Sequence, residues 1–354
     1  MDASFKNSSP QICGFYSITP DREYDSTASS LRYFKKPKVF PLDLNIGIET
    51  IRYKPDSYYK EKMDSILTYI VKHKADLLNG KKTNALIPST KYITYRGVIR
   101  KIMCSPFEKR SGWCILATKY KNNIYMCQLT REEVLEAFNN EPMSTKRFCY
   151  YGPKFEQYCL TDDPASMPNT SQQIDAREQF FCVFKRKLVG RDFLFAGEMD
   201  GIVSDKRVTL KNQDDLQKLN FIELKVSADP SASYHGPRNF KQKIQNVWTQ
   251  SYLSGVKDVF FGMRDGNGLV HKIQHFSTDE LLRLGQTSWD PLKCFKFLEE
   301  FLKLVEEKMA NIDCPNTVFE FNFNEKTVQT TCKEHHGKTE LSLIPNWYLN
   351  AFNK

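Results

Sequence analysis

Two apolar runs that each carry a pair of charges constrain this chain more than any other feature. Residues 193–203 read Phe-Leu-Phe-Ala-Gly-Glu-Met-Asp-Gly-Ile-Val, and residues 219–226 read Leu-Asn-Phe-Ile-Glu-Leu-Lys-Val. In a strand, side chains alternate between faces, so Glu198 and Asp200 share one face, and Glu223 and Lys225 share another with Phe221. Ile222, Leu224 and Val226 then take the opposite face. Two carboxylates side by side in an apolar strand are costly unless a cation stands between them. Either pair alone reads as a cross-strand salt bridge in an ordinary sheet. Both together, on two runs read as neighbouring strands, read as a divalent-ion site.

The chemistry these side chains suit is phosphodiester hydrolysis. Carboxylate oxygens are hard ligands for magnesium or manganese. Such an ion lowers the pKa of a bound water, and a second ion steadies the leaving oxygen. A lysine beside the metal orients or deprotonates the water and attracts the phosphate. Glu156 stands among aromatic residues (Tyr150, Tyr151, Phe155, Tyr158), where a carboxylate faces either a ligand or a helix N-terminus. Gln250 and Lys243 are two helical turns apart, on one face, and offer an amide and an amine to a phosphate backbone or to solvent.

A formal net charge of +9 favours polyanionic partners. No apolar run approaches a membrane span, and the N-terminus has no secretory pattern, so an intracellular protein without a membrane partner is expected. The ten cysteines form no C-x-x-C pair and are expected as reduced, mostly buried thiols. Cys332, His335 and His336 alone resemble zinc ligands, but no second pair accompanies them. The run Lys35-Lys36-Pro37-Lys38 is either a nuclear import signal or a solvated loop.

The chain reads as mixed α and β in a single domain, 1–354. Residues 1–50 are expected as an extended arm laid over the body. A helix is expected over 61–79, stopped by Gly80. Strands are expected over 91–104 and 113–129, and a capping box at Thr130–Glu133 opens a short helix. Gly152-Pro153 reads as a helix start with proline in the first turn. Residues 180–184, 193–203 and 219–226 read as strands, 239–254 as a helix ended by Gly255, and 256–263 and 269–276 as two more strands. Asp290-Pro291 caps a further helix, and 317–348 is strand-like.

An acidic residue followed roughly two dozen positions later by E-x-K resembles the core of the PD-(D/E)xK nuclease superfamily. Further motifs narrow the resemblance. Thr94-Tyr95-Arg96-Gly97, Ser105–Lys109 with Gly112-Trp113, Gly152–Tyr158, Gly197–Asp200, Glu223–Lys225 and Trp248–Gln250 are similar, in order and spacing, to the decapping exoribonuclease family, DXO. The similarity runs from about residue 90 to the closing Ile344–Tyr348, and more loosely before it. Pro153 departs from the family pattern, which has a hydrophobic residue there.

The resemblance implies an α/β domain with two mixed sheets flanked by helices and a PD-(D/E)xK nuclease-like core. It implies a metal-dependent enzyme that removes incomplete caps, 5′-triphosphates and NAD caps from RNA 5′ ends, with 5′–3′ exoribonuclease activity, in RNA quality control. Carried over residue by residue, Glu156, Glu198, Asp200 and Glu223 hold magnesium or manganese, two ions, with the Leu224 carbonyl as an extra ligand. Lys225 and Gln250 position water and phosphate, and Arg96 contacts the RNA. A nuclear setting is implied, with cytoplasm as an additional compartment. The alternatives are a largely non-catalytic partner stabilising a nuclear 5′–3′ exoribonuclease, and a DNA endonuclease on the same core.

Overall fold

The structure is a computed structural model that describes residues 5–353 except 56, 59, 60, 79–84, 89, 211, 212 and 233–235. Among these residues, strands form two mixed sheets. The larger has the order Gln329–His335, Val318–Asn324, Trp113–Tyr120, Asn123–Leu129, Tyr92–Tyr95, Arg191–Glu198, Gln179–Leu188, Gln11–Ile18, Tyr24–Asp25. The smaller runs Leu42–Asp43, Leu269–Ser277, Asp258–Arg264, Phe221–Ala228, Gly201–Ile202, Tyr33–Phe34, Leu160–Thr161.

Strand alternation sorts the apolar side chains into three cores. Phe193 and Phe195 of the larger sheet and Phe221 and Phe261 of the smaller join one core, filled by helices Arg96–Cys104, Gly236–Ser254 and Pro291–Lys308. Leu194 and Ala196 point the other way, onto helix Asp64–Lys72 and the C-terminal helix Asn346–Phe352. Ile222 and Leu224 pack outward on Tyr151 and Phe155 of helix Met143–Cys159. The period-two reading of 219–226 therefore holds.

Several expectations fail, each for a physical reason. The N-terminal stretch is no arm laid over the body. Its strands pair within both sheets, Gln11–Ile18 against Gln179–Leu188 and Tyr33–Phe34 beside Gly201–Ile202. Only Tyr92–Tyr95 of the run 91–104 is strand. Val98, Ile99, Ile102 and Met103 recur at helical spacing and bury one face of a helix. Thr130 does not cap: the helix Glu132–Asn139 starts after Arg131 without a side-chain cap. The helix expected over 61–79 breaks at His73 into Asp64–Lys72 and Lys74–Leu78, and Gly80 lies outside the described residues.

Pro153 is inside a helix, not at its start. Proline leaves the carbonyl four residues back without its helical partner. Here that carbonyl, on Cys149, accepts a hydrogen bond from the Tyr53 hydroxyl at 3.2 Å, so the helix runs on to Cys159.

Candidate active site

The strand Arg191–Glu198 ends at Glu198, and the chain then crosses from the larger sheet to the smaller through Met199 and Asp200. Gly201–Ile202, the end of the first charged run, pairs with Phe221–Ile222 in the smaller sheet, while Arg191–Glu198 belongs to the larger, so only that short end neighbours the second run. Asp200 does not share a strand face with Glu198. It reaches Glu223 because it sits in the crossing. Its Oδ2 accepts the Leu224 backbone N–H at 2.7 Å and lies 3.7 Å from the Lys225 ammonium. Along a strand, the N–H and C=O of one residue point to the same edge. The Leu224 carbonyl is thereby turned to the Asp200 side, as a ligand role requires.

Glu223 is fully buried and gathers the remaining groups. Its Oε1 accepts hydrogen bonds from the Lys225 ammonium and from Gln250 Nε2, the latter at 2.5 Å. Its Oε2 stands 3.7 Å from Arg96 Nη1, too far for a hydrogen bond, and has no hydrogen-bond partner. Arg96 itself is buried, donates to Ser254 Oγ at 3.1 Å, and packs its stem on Gly197, where a Cβ would come within 3.1 Å of it. It braces Glu223 and only edges the recess beyond.

Glu156 lies in the last turn of helix Met143–Cys159, not the first. The helix dipole disfavours a carboxylate there, so helix-start stabilisation does not explain it. Burial raises its pKa and Glu198 adds to this, against the pull of Lys225. Burial and the Glu223 charge push Asp200 well above the usual carboxylate range. Glu223 goes the other way: burial opposes its ionisation, but Lys225 and Arg96 outweigh it. Burial works against the Lys225 ammonium, yet Asp200 and Glu223 together hold its pKa above the ordinary lysine value.

Two recesses meet at Glu198. One, of about 660 Å³, is walled by Arg32, Tyr53, Glu156, Gln157 and the segment 160–178. The other, of about 440 Å³, is walled by Arg22, Tyr58, Tyr95, Arg96 and Gln250. The wall residues from 22 to 58 went unread in the sequence. They carry no motif and reach the site only through the sheets that the N-terminal strands join.

The residues fit a divalent cation. The donors are hard oxygens, one buried carboxylate oxygen lacks a hydrogen bond, and the Asp200 charge is suppressed where an ion would sustain it. Among the described residues no three carboxylate, imidazole or thiol side chains stand close enough to share an ion as placed. The Lys225 ammonium stands among them instead. The zinc reading near the C-terminus fails on geometry. Cys332 and His335 are on opposite faces of their strand, Cys332 against the core and His335 on Glu320 at 2.8 Å.

The helix bearing Glu156 seats Phe155 against Gly262, where a Cβ would meet the ring at 2.7 Å. Gly262→Ala is expected to destabilise by about 1–3 kcal/mol through overpacking. It also displaces Glu156, so turnover should fall more than the unfolding midpoint implies. Unchanged kinetics would show that Glu156 needs no such seat.

The family model described as RAI1 like PD-(D/E)XK nuclease matches residues 8–349. The chain belongs to this family. The Drosophila melanogaster protein named Decapping and exoribonuclease protein Rai1 is 32% identical over 347 residues, covering 96% of this chain and 90% of that protein. The crystal structure of Scheffersomyces stipitis Rai1 in complex with (3′-NADP)+ and calcium superposes with a TM-score of 0.83 at 19% identity, covering 98% of this chain and 96% of that one. That of Candida albicans Rai1 with pU5 and Mn2+ gives 0.78 at 19% identity, with 96% and 95% covered. In this member of the family the E-x-K strand lies in the smaller sheet, and Glu198 and Asp200 stand at the crossing into it.

Proposed function

We propose that this chain is a divalent-metal-dependent hydrolase of RNA 5′ ends. It removes incomplete caps, 5′-triphosphates and NAD caps, and degrades the exposed RNA 5′ to 3′. The observation that carries this reading is that Glu156, Asp200 and Glu223 lie within electrostatic reach of one another around Lys225, with Glu198 beside Glu156 and room on either side of Glu198 for the two parts of a cut substrate. The names of the relatives, decapping and exoribonuclease proteins, and a nucleotide, an RNA and divalent ions in their structures support it.

In this reading Glu156, Glu198, Asp200, Glu223 and the Leu224 carbonyl hold two magnesium or manganese ions. Bound there, the ions supply an activated water and neutralise phosphoryl charge. Lys225 and Gln250 orient the water and the scissile phosphate, and Arg96 keeps Glu223 ionised while its edge meets the RNA. The protein works in the nucleus, and in the cytoplasm as well, with Lys36 and Lys38 exposed for import. It also docks to a nuclear 5′–3′ exoribonuclease, which co-purification tests. No helix among the described residues is long and apolar enough to cross a membrane.

The test is to incubate the pure protein with triphosphate-, NAD- and cap-ended RNAs side by side and to follow the released 5′ group. Chelation should abolish release, and magnesium or manganese should restore it. Release that persists in chelator excludes the mechanism.

A further inference from the structure

Three cations near the carboxylates have no acidic partner. Lys243 donates to the Val226 carbonyl, one residue beyond Lys225. Arg264 ends the neighbouring strand and donates to the Asp265 carbonyl at 2.8 Å. Arg147 lies on helix Met143–Cys159, and its Nε is buried without a hydrogen-bond partner. The acids next to Arg264 face elsewhere: Asp229 pairs with Lys272 at 2.8 Å and Asp265 with His271 at 3.0 Å. Among the described residues, none of the three cations has a carboxylate within ion-pair reach.

These cations lie in order. Lys225 is paired with Phe261 and Ala228 with Arg264, so Arg264 is about 10 Å farther along the sheet. Arg147 is nine residues, or about 13 Å, up the helix from Glu156. Both guanidiniums stack on the ring of Phe148, at 4.9 Å for Arg264 and 5.2 Å for Arg147. Arg264 also lies 5.4 Å from the Tyr151 ring. Phe148 is 47% exposed. Two like charges on one exposed ring, neither neutralised, make an arrangement that repels itself until an anion arrives. Burial and the Arg147 charge depress Arg264, and burial with Lys225 and Arg264 nearby pushes Lys243 down to about 8. Unpaired cations in series are how the phosphates of single-stranded nucleic acid are held without reading its sequence.

We infer that Lys243, Arg264 and Arg147, the two arginines held in place by the Phe148 ring, form a track for the phosphates of the RNA that continues 3′ of the scissile bond. The inference rests on the proposed RNA 5′-end activity and specifies where the body of the substrate goes.

A dinucleotide carries only the scissile internucleotide phosphate and stops short of the track, whereas a 12-mer crosses it. The Arg147→Gln/Arg264→Gln double variant should lose about tenfold in kcat/KM on a 5′-monophosphorylated 12-mer and stay within twofold of wild type on the dinucleotide. In chelator, where nothing is cut, its affinity for the 12-mer should depend less steeply on salt, with the logarithmic slope smaller by about 1.4, since each single-strand phosphate contact contributes roughly 0.7. Arg264→Lys keeps the charge and should keep the slope. Unchanged 12-mer kinetics and salt slope in the double variant, or an equal loss on dinucleotide and 12-mer, would overturn the track. Wild-type cleavage of the dinucleotide separately tests the activity on which the track depends.

Discussion

Glu198→Gln together with Asp200→Asn should lower release of the 5′ group from labelled RNA by about 10³-fold or more while leaving the unfolding midpoint at or above that of wild type. The activity loss follows from removing two carboxylates from an ion that must supply several kcal/mol of transition-state stabilisation, each 1.36 kcal/mol being tenfold in rate. Stability survives because neither substitution removes packing. Asparagine still accepts the Leu224 N–H that Asp200 Oδ2 accepts at 2.7 Å. The wild-type Asp200 charge is already disfavoured by burial and by Glu223, so neutralising it removes a repulsion. A titration with manganese should raise the midpoint of wild type and not of the double variant, since a ligand that binds only the folded state stabilises it. Wild-type turnover in the double variant would sink the site assignment.

Much of this site was legible because a strand has period two. Phe221, Glu223 and Lys225 do share a face, and Ile222 and Leu224 do pack oppositely. Gln250 and Lys243 both turn towards the strand Phe221–Ala228, as their seven-residue spacing on one helix requires. The crossing between sheets was not legible. Gly201–Ile202 is a two-residue strand, too short to leave a periodic signal, so the run 193–203 read as one strand when it serves two sheets.

The helix through Pro153 was hidden for a different reason. Its compensation comes from Tyr53, a residue remote in sequence, and no local rule reports that. The error changed the meaning of Glu156: a glutamate near a helix start explains itself, whereas one in the last turn does not. The strand reading of 96–104 failed because its β-branched residues also fit a helix, and burial of one face decided it. That helix starts at Arg96 and so carries the guanidinium to Glu223, an approach that no local pattern around Arg96 announces.

Glu223→Gln should differ from the Glu198/Asp200 variant by costing the fold as well as the chemistry. Glu223 has no exposed surface, and its carboxylate faces three donors: Lys225 and Gln250 on one oxygen, Arg96 at 3.7 Å from the other. A glutamine has one acceptor oxygen and an N–H2 that would confront a cation. Removing one member of a buried ion pair leaves the other uncompensated, at about 3–5 kcal/mol. Arg96, with its side chain 7% exposed, keeps only an edge on the recess, whereas Lys225 at 25% can turn outward. The Arg96→Met change should therefore recover part of the stability lost in Glu223→Gln, without recovering activity. A double-mutant cycle on the unfolding free energy measures this coupling. Additive losses would show that Arg96 and Glu223 do not sense each other at 3.7 Å, and that Lys225 alone holds Glu223 ionised.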